Sequence, residues 1–214
     1  MKVIGINAGP RKGWNTDLLL QSALEGSASK GADCELIHLY GISFKGCRSC
    51  LLCKRKEGGS LGRCVIQDDL LPILNKIGRS DAIALGSPIY FGEVTGVMRM
   101  FLERLLFQYI SYNKDRAVLT PKAIKSLFIY TMNVGESALE EFGYAQKFES
   151  YKSLLARVLG PSEFIASTET WQIEDYSKHH MSMFDEAQRR QRRKEVFPED
   201  LRKSFDLGAS LVSN

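Results

Sequence analysis

Short runs rich in Ile, Val, Leu and Phe, without polar alternation, recur at residues 3–7, 35–40, 82–87, 126–132 and 164–168. Strands buried on both faces have this character. Between them, residues 16–29, 69–77, 95–107 and 138–159 carry apolar side chains at helical spacing, and several of these stretches begin after Asn, Asp or Thr. The alternation predicts an α/β fold, a five-stranded parallel sheet with helices on both faces. Beyond the fifth run the pattern changes. Residues 171–183 are irregular, 184–194 read as a basic helix, and Phe197-Pro198-Glu199-Asp200 opens a last helix to about residue 212. Pro198 suits a first helical turn, and Glu199 and Asp200 complement its dipole. No repeat or low-complexity linker sets the tail apart, so residues 1–214 read as one domain with a loop at 47–64 and a C-terminal arm at 171–214.

Composition agrees with one domain. With 44% of 214 residues hydrophobic, the chain can bury an ordinary core with room for the arm. No secretory signal or bilayer-length apolar run is visible, so a cytoplasmic protein without a membrane partner is expected. In that compartment clustered thiols serve more often as ligands or redox groups than as disulfides. Cys34, within an apolar strand, reads as a small buried hydrophobe.

The net charge of +4 is too mild to imply a nucleic-acid partner, but it is unevenly placed. Lys45, Arg48, Lys54, Arg55, Lys56 and Arg63 surround a cysteine-rich loop with only Glu57 opposing them. Arg189, Arg190, Arg192, Arg193 and Lys194 form a second basic run, readable as a solvated helix face or as a contact with an anionic cofactor or partner subunit.

The cysteines inside the first basic stretch are Cys47, Cys50, Cys53 and Cys64: three at two-residue gaps, then one further on. C-x-x-C turns let thiols converge on one centre, and three in succession with a remote fourth can saturate a cubane iron–sulfur cluster. Structural zinc sites more often use two separated C-x-x-C pairs, and free, redox-active or disulfide-forming thiols are the other alternative.

In an open parallel sheet, ligands sit beyond the carboxyl ends of the strands. After the first strand comes Asn7-Ala8-Gly9-Pro10-Arg11-Lys12-Gly13-Trp14-Asn15-Thr16, a turn that ends in a helix N-terminus. Its backbone N–H groups, the Thr16 hydroxyl, the Asn15 amide and Arg11 suit a phosphate. The turn is neither G-x-G-x-x-G nor a Walker A loop, which argues against a dinucleotide fold or a nucleotide hydrolase. After the third strand, Pro88, Ile89, Tyr90, Phe91 and Gly92 offer a stiff exit, apolar faces and close backbone approach to a planar ring. Residues 131–136 after the fourth strand supply a further wall.

These turns, with the segment from Cys47 to Cys64 and the tail Arg192-Arg193-Lys194-Glu195-Val196-Phe197-Pro198-Glu199-Asp200, give a chain that resembles the flavodoxin-like NAD(P)H-dependent FMN reductases, and within them the iron–sulfur flavoproteins. The resemblance implies that Gly9, Arg11, Asn15 and Thr16 bind the FMN phosphate. It puts Pro88, Ile89, Tyr90, Phe91 and Gly92 at the isoalloxazine, and Thr131, Asn133 and Gly135 on its other side. It also implies a [4Fe–4S] cluster on Cys47, Cys50, Cys53 and Cys64. The gap between Cys53 and Cys64 is longer than in the compact motif, and Ala8-Gly9 replaces the serine common at the start of the phosphate turn.

The implied function is electron transfer between FMN, the cluster and a redox partner protein or small acceptor, with NAD(P)H as a possible donor. No side chain is required as a catalytic acid or base. Rival readings are a cluster-free NAD(P)H-dependent FMN or quinone reductase, and a thiol-based redox or metal sensor. Aromatics at residues 107–116 and after Trp171, together with the resemblance, lead us to expect a homodimer or homotetramer.

Overall fold

A computed structural model describes residues 1–212. In chain order the elements are β1 (Lys2–Asn7), α1 (Asn15–Ser29), β2 (Asp33–His38), α2 (Leu70–Ile77), β3 (Ala82–Tyr90), β4 (Glu93–Val94), α3 (Gly96–Tyr109), β5 (Ile110–Asn113), β6 (Arg116–Val118), β7 (Lys125–Thr131), α4 (Ala138–Glu141), α5 (Tyr144–Val158), β8 (Ser162–Ser167), α6 (Glu186–Glu195) and α7 (Phe197–Ser210).

The five predicted strands form one parallel sheet in the order β2-β1-β3-β7-β8. β1, β3 and β7 are buried along nearly their whole length, as their unbroken apolar runs require, while the edge strands β2 and β8 are only partly buried. Register brings the carboxyl ends together: Asn7 pairs with His38 on one side and Gly86 on the other, Pro88 with Thr131, and Thr131 with Ser167. The chain leaves β1 toward β2 and returns on the other side of β1 as β3. A crevice opens where the order reverses.

Leucines of α1 and residues of α7 cover one face of the sheet; α2, α3 and α5 cover the other. The helix expected over 138–159 is broken at Phe142 and Gly143, where Gly143 takes a positive φ of 69°, giving α4 and α5. The small strands β4, β5 and β6 had no apolar run to betray them. β4 folds back on the end of β3, and β5 pairs with β6 in a separate hairpin.

The last helix is tightly integrated. A Cβ on Gly208 would stand 1.9 Å from the Ala23 carbonyl oxygen, and one on Gly26 would stand 2.0 Å from that of Phe205, so α7 and α1 touch backbone to backbone. Three serines bond across the crossing: Ser22 to Leu201 O at 2.8 Å, Ser27 to Gly208 O at 2.7 Å and Ser204 to Leu19 O at 2.7 Å. No helix among the described residues is long and apolar enough to cross a membrane.

Candidate functional site

A cleft of about 180 Å³ opens at the β1/β3 switch point. Three predicted turns meet there: Gly9, Arg11, Asn15 and Thr16 after β1; Pro88, Ile89 and Tyr90 at the end of β3; Thr131 and Asn133 after β7. Phe91, Gly92 and Gly135 do not line it. Phe91 stands fully exposed with a positive φ of 51°, and Gly92 gives its carbonyl to Lys147 Nζ at 2.5 Å. Gly135 lies nearest Glu169.

The turn after β1 is shaped by a residue that sequence reasoning passed over. Asp17, third in α1, is buried and accepts from the Asn7 amide at 2.7 Å, Gly13 N–H at 2.7 Å and Gln21 at 3.0 Å, with His38 Nε2 at 3.5 Å. The other end of the Asn7 side chain accepts from Gly9 N–H at 2.7 Å. The turn is thus tied to the sheet at both ends, while Thr16 and Thr131 hydroxyls meet at 2.7 Å across the crevice. Arg11 lies over the Trp14 ring at 4.0 Å and donates to Gln172 O, and Asn15 donates to Trp171 O at 2.7 Å. The segment after β8, with Thr170 and Gln172 on the cleft, therefore forms a fourth wall. Its irregular sequence carried no periodic signal.

The turn after β3 is braced from behind. The Ser87 hydroxyl accepts from Thr95 N–H at 3.0 Å, and the Thr95 hydroxyl bonds Ala8 O at 3.2 Å while capping α3 at Met98 N–H, 3.4 Å away. Glu93 pairs with Lys147 at 2.9 Å and accepts from the Tyr151 hydroxyl at 3.0 Å. Burial opposes ionisation of Glu93, but its Lys147 and Tyr151 partners outweigh this and hold the carboxyl below the ordinary range.

The cysteine loop packs on the C-terminal half of α3. Cys47, Cys50, Cys53 and Cys64 all border one small cavity with Leu51, Phe107 and Arg104. The long gap does not keep Cys64 away. Gly58, Gly59 and Gly62 take positive φ of 88°, 69° and 74°, and Gly62 N–H returns to Cys53 O at 2.9 Å.

Two polar side chains one turn apart on α3, unnoticed in the sequence, receive the loop. Gln108 accepts from Cys64 N–H at 2.9 Å, and the fully buried Arg104 donates to Cys64 Sγ at 3.2 Å and to Lys45 O at 3.0 Å. Arg104 also grips Asp68 at 2.7 Å and 3.1 Å. Burial resists the Asp68 charge, yet Arg104 and the Leu70 and Leu71 N–H groups hold its carboxyl below the ordinary range. Burial pushes the Cys53 thiol up, opposed by the Lys54 ammonium. Arg104 and Gln108 stand at i and i+4 and so share one face of α3, but Arg99 and Glu103 on the same helix share the same spacing, and only burial tells the two pairs apart.

Among the described residues no three Cys, His, Asp or Glu side chains are close enough to share a single metal ion. Four thiols around one cavity, with Arg104 and Lys54 beside them, are donors of the kind a multi-iron cluster would use, one thiolate to each iron. α3 links this cavity to the cleft. Its cap, Thr95, braces the turn after β3, and Arg104 lies nine residues further on, roughly 14 Å along the axis at about 1.5 Å per residue.

The family model described as NADPH-dependent FMN reductase matches residues 1–138. The chain belongs to the NADPH-dependent FMN reductase family. Within reach of that family, it is 41% identical over 104 residues to an iron-sulfur flavoprotein of Methanocaldococcus jannaschii, covering 49% of this chain and 51% of that protein. It is 36% identical over 104 residues to an iron-sulfur flavoprotein of Archaeoglobus fulgidus, covering 49% and 48%. The chain thus spans about half the length of the curated relatives it matches. Among solved structures, an NAD(P)H:quinone oxidoreductase from Methanothermobacter marburgensis superposes with a TM-score of 0.72 at 17% identity over 100% of this chain and 98% of that one, a likeness of fold. That likeness of fold extends through the tail that the family model leaves unmatched.

Proposed function

We propose that this family member is a flavin-dependent oxidoreductase that binds FMN in the switch-point cleft and a [4Fe–4S] cluster on Cys47, Cys50, Cys53 and Cys64. The observation that carries the reading is the meeting of the phosphate turn, the ring turn and the β7 wall in one cleft, with four thiols around a second cavity on the helix that braces it. FMN would supply two- and one-electron redox chemistry and the cluster one-electron chemistry toward a protein or small acceptor, with NAD(P)H as a donor class.

The protein's own residues bind and orient. Arg11, Asn15, Thr16 and Gly9 receive the phosphate, Pro88, Ile89 and Tyr90 border the ring, and Thr131 and Asn133 close the far side. Three side chains hold the cysteine loop against α3: Arg104 donates to Cys64 Sγ, Gln108 accepts from Cys64 N–H, and Lys54, on the loop itself, donates to Phe107 O. Exposed Phe91 and Tyr112 favour completion of the protein as a homodimer or homotetramer.

Anaerobic purification decides between this reading and a cluster-free reductase. We expect a brown protein with broad absorbance near about 400 nm and about four iron and four sulfide per chain. Cys64→Ser is expected to lose most of the iron and keep the flavin. A yellow, iron-free protein that oxidises NADPH rapidly would overturn the cluster and leave the flavin site standing.

A further inference from the structure

The basic run on α6 divides into two faces. Arg190 and Lys194 are exposed, whereas Arg189 and Arg193, one turn apart, face inward. Arg189 is buried, donates to Asn133 O at 2.8 Å and pairs with Glu169 at 2.9 Å. Arg192 pairs with Asp200 at 2.8 Å. Arg193 differs. It stacks over the Phe197 ring at 3.9 Å, it is half-buried, and among the described residues no carboxylate forms an ion pair with it. Among the described residues its one side-chain hydrogen bond runs from Nη1 to Asn15 Oδ1 at 3.0 Å. Burial and the neighbouring Arg192 both press on its charge and lower its pKa, as for a cation without its counter-ion.

Asn15 borders the cleft at the start of α1. A guanidinium has donors only, so the face that Asn15 turns to α6 must be its oxygen. The amide nitrogen then gives one N–H to Trp171 O and has a second N–H to offer. We propose that Arg193 is a positioning residue for the phosphate end of the cleft, fixing the Asn15 amide as a donor toward the anionic group of a phosphorylated flavin. The inference rests on the reading of this cleft as the FMN site. It gives the basic helix a task within the site, selection of phosphorylated over unphosphorylated flavin.

The test compares FMN and riboflavin binding to the full-length, flavin-stripped protein by flavin fluorescence quenching, in the wild type, Arg193→Gln, Asn15→Ala and the double variant. A wild type without preference for FMN over riboflavin would refute the FMN reading itself. Given that preference, Arg193→Gln is expected to weaken FMN about tenfold, the scale of one hydrogen bond to a charged partner, with riboflavin changed less than about twofold. In the Asn15→Ala background the same change should cost less than about twofold, because the arginine acts through the amide. Equal loss of both flavins would reduce Arg193 to a structural role, and an undiminished loss without Asn15 would make its action direct; either overturns the proposal. Arg193→Lys, which keeps the charge and stem without the planar fork, should show an intermediate FMN loss and supplies the same comparison if the glutamine variant does not fold.

Discussion

Removing the Asp17 carboxylate would strand the buried Asn7 amide, held at 2.7 Å, while the exposed Gly13 N–H could turn to water. A buried unsatisfied donor costs about 1–3 kcal/mol, so Asp17→Ala should lose about that much in urea unfolding. In the sequence Asp17 looked like an ordinary acidic residue in a first helical turn; its partners on β1 and the preceding turn become visible only when the chain closes. Arg11, Asn15 and Thr16 were legible because a loop after the first strand of such a sheet has few other uses for donors at those positions.

Asp68 gives a second residue-scale expectation. Its carboxyl titrates lower in the folded than in the unfolded chain. The Arg104–Asp68 pair therefore stabilises fully above the unfolded value and loses its contribution as pH falls through the lower folded one. The stability advantage of wild type over Asp68→Asn should shrink as pH is lowered from about 5 to about 3, read from urea midpoints.

At the scale of elements, the sheet was almost wholly legible because burial on both faces leaves an unbroken apolar signature. What escaped were pieces whose existence depends on something distant. β4 needs the end of β3, and the split between α4 and α5 turns on one glycine inside a pattern of helical period. The cysteine spacing announced that the four thiols would gather, but the seat of their loop, Arg104 and Gln108 on α3, became recognisable only once the loop was seen against that helix. The α1–α7 crossing is similarly silent in the sequence, where Gly26 and Gly208 look like weak helix residues. Gly208→Ala would drive a methyl into the Ala23 backbone, which has no side chain to swing away. We expect a loss of about 3 kcal/mol, measured as a lowered thermal midpoint with the two helices forced apart.

For the molecule as a whole, the cleft stands at the carboxyl side of the main sheet, walled in part by the segment after β8, and α3 runs from it to the cysteine cavity. The family model ends at residue 138, before α5, β8, α6 and α7, yet those later elements supply Thr170, Gln172 and the helix that covers α1. The α1–α7 bonds join residues 179, 181 and 185 positions apart. Such separations put the molecule among slow, non-local folders, since loop closure precedes any reward from contact. During synthesis α1 emerges long before the surface that shields its leucines. For all that interval its apolar side is a place for chaperones to hold and for neighbouring nascent chains to stick. The glycine-tight crossing that makes the finished protein compact thus also sets the moment at which its first helix stops being an aggregation hazard.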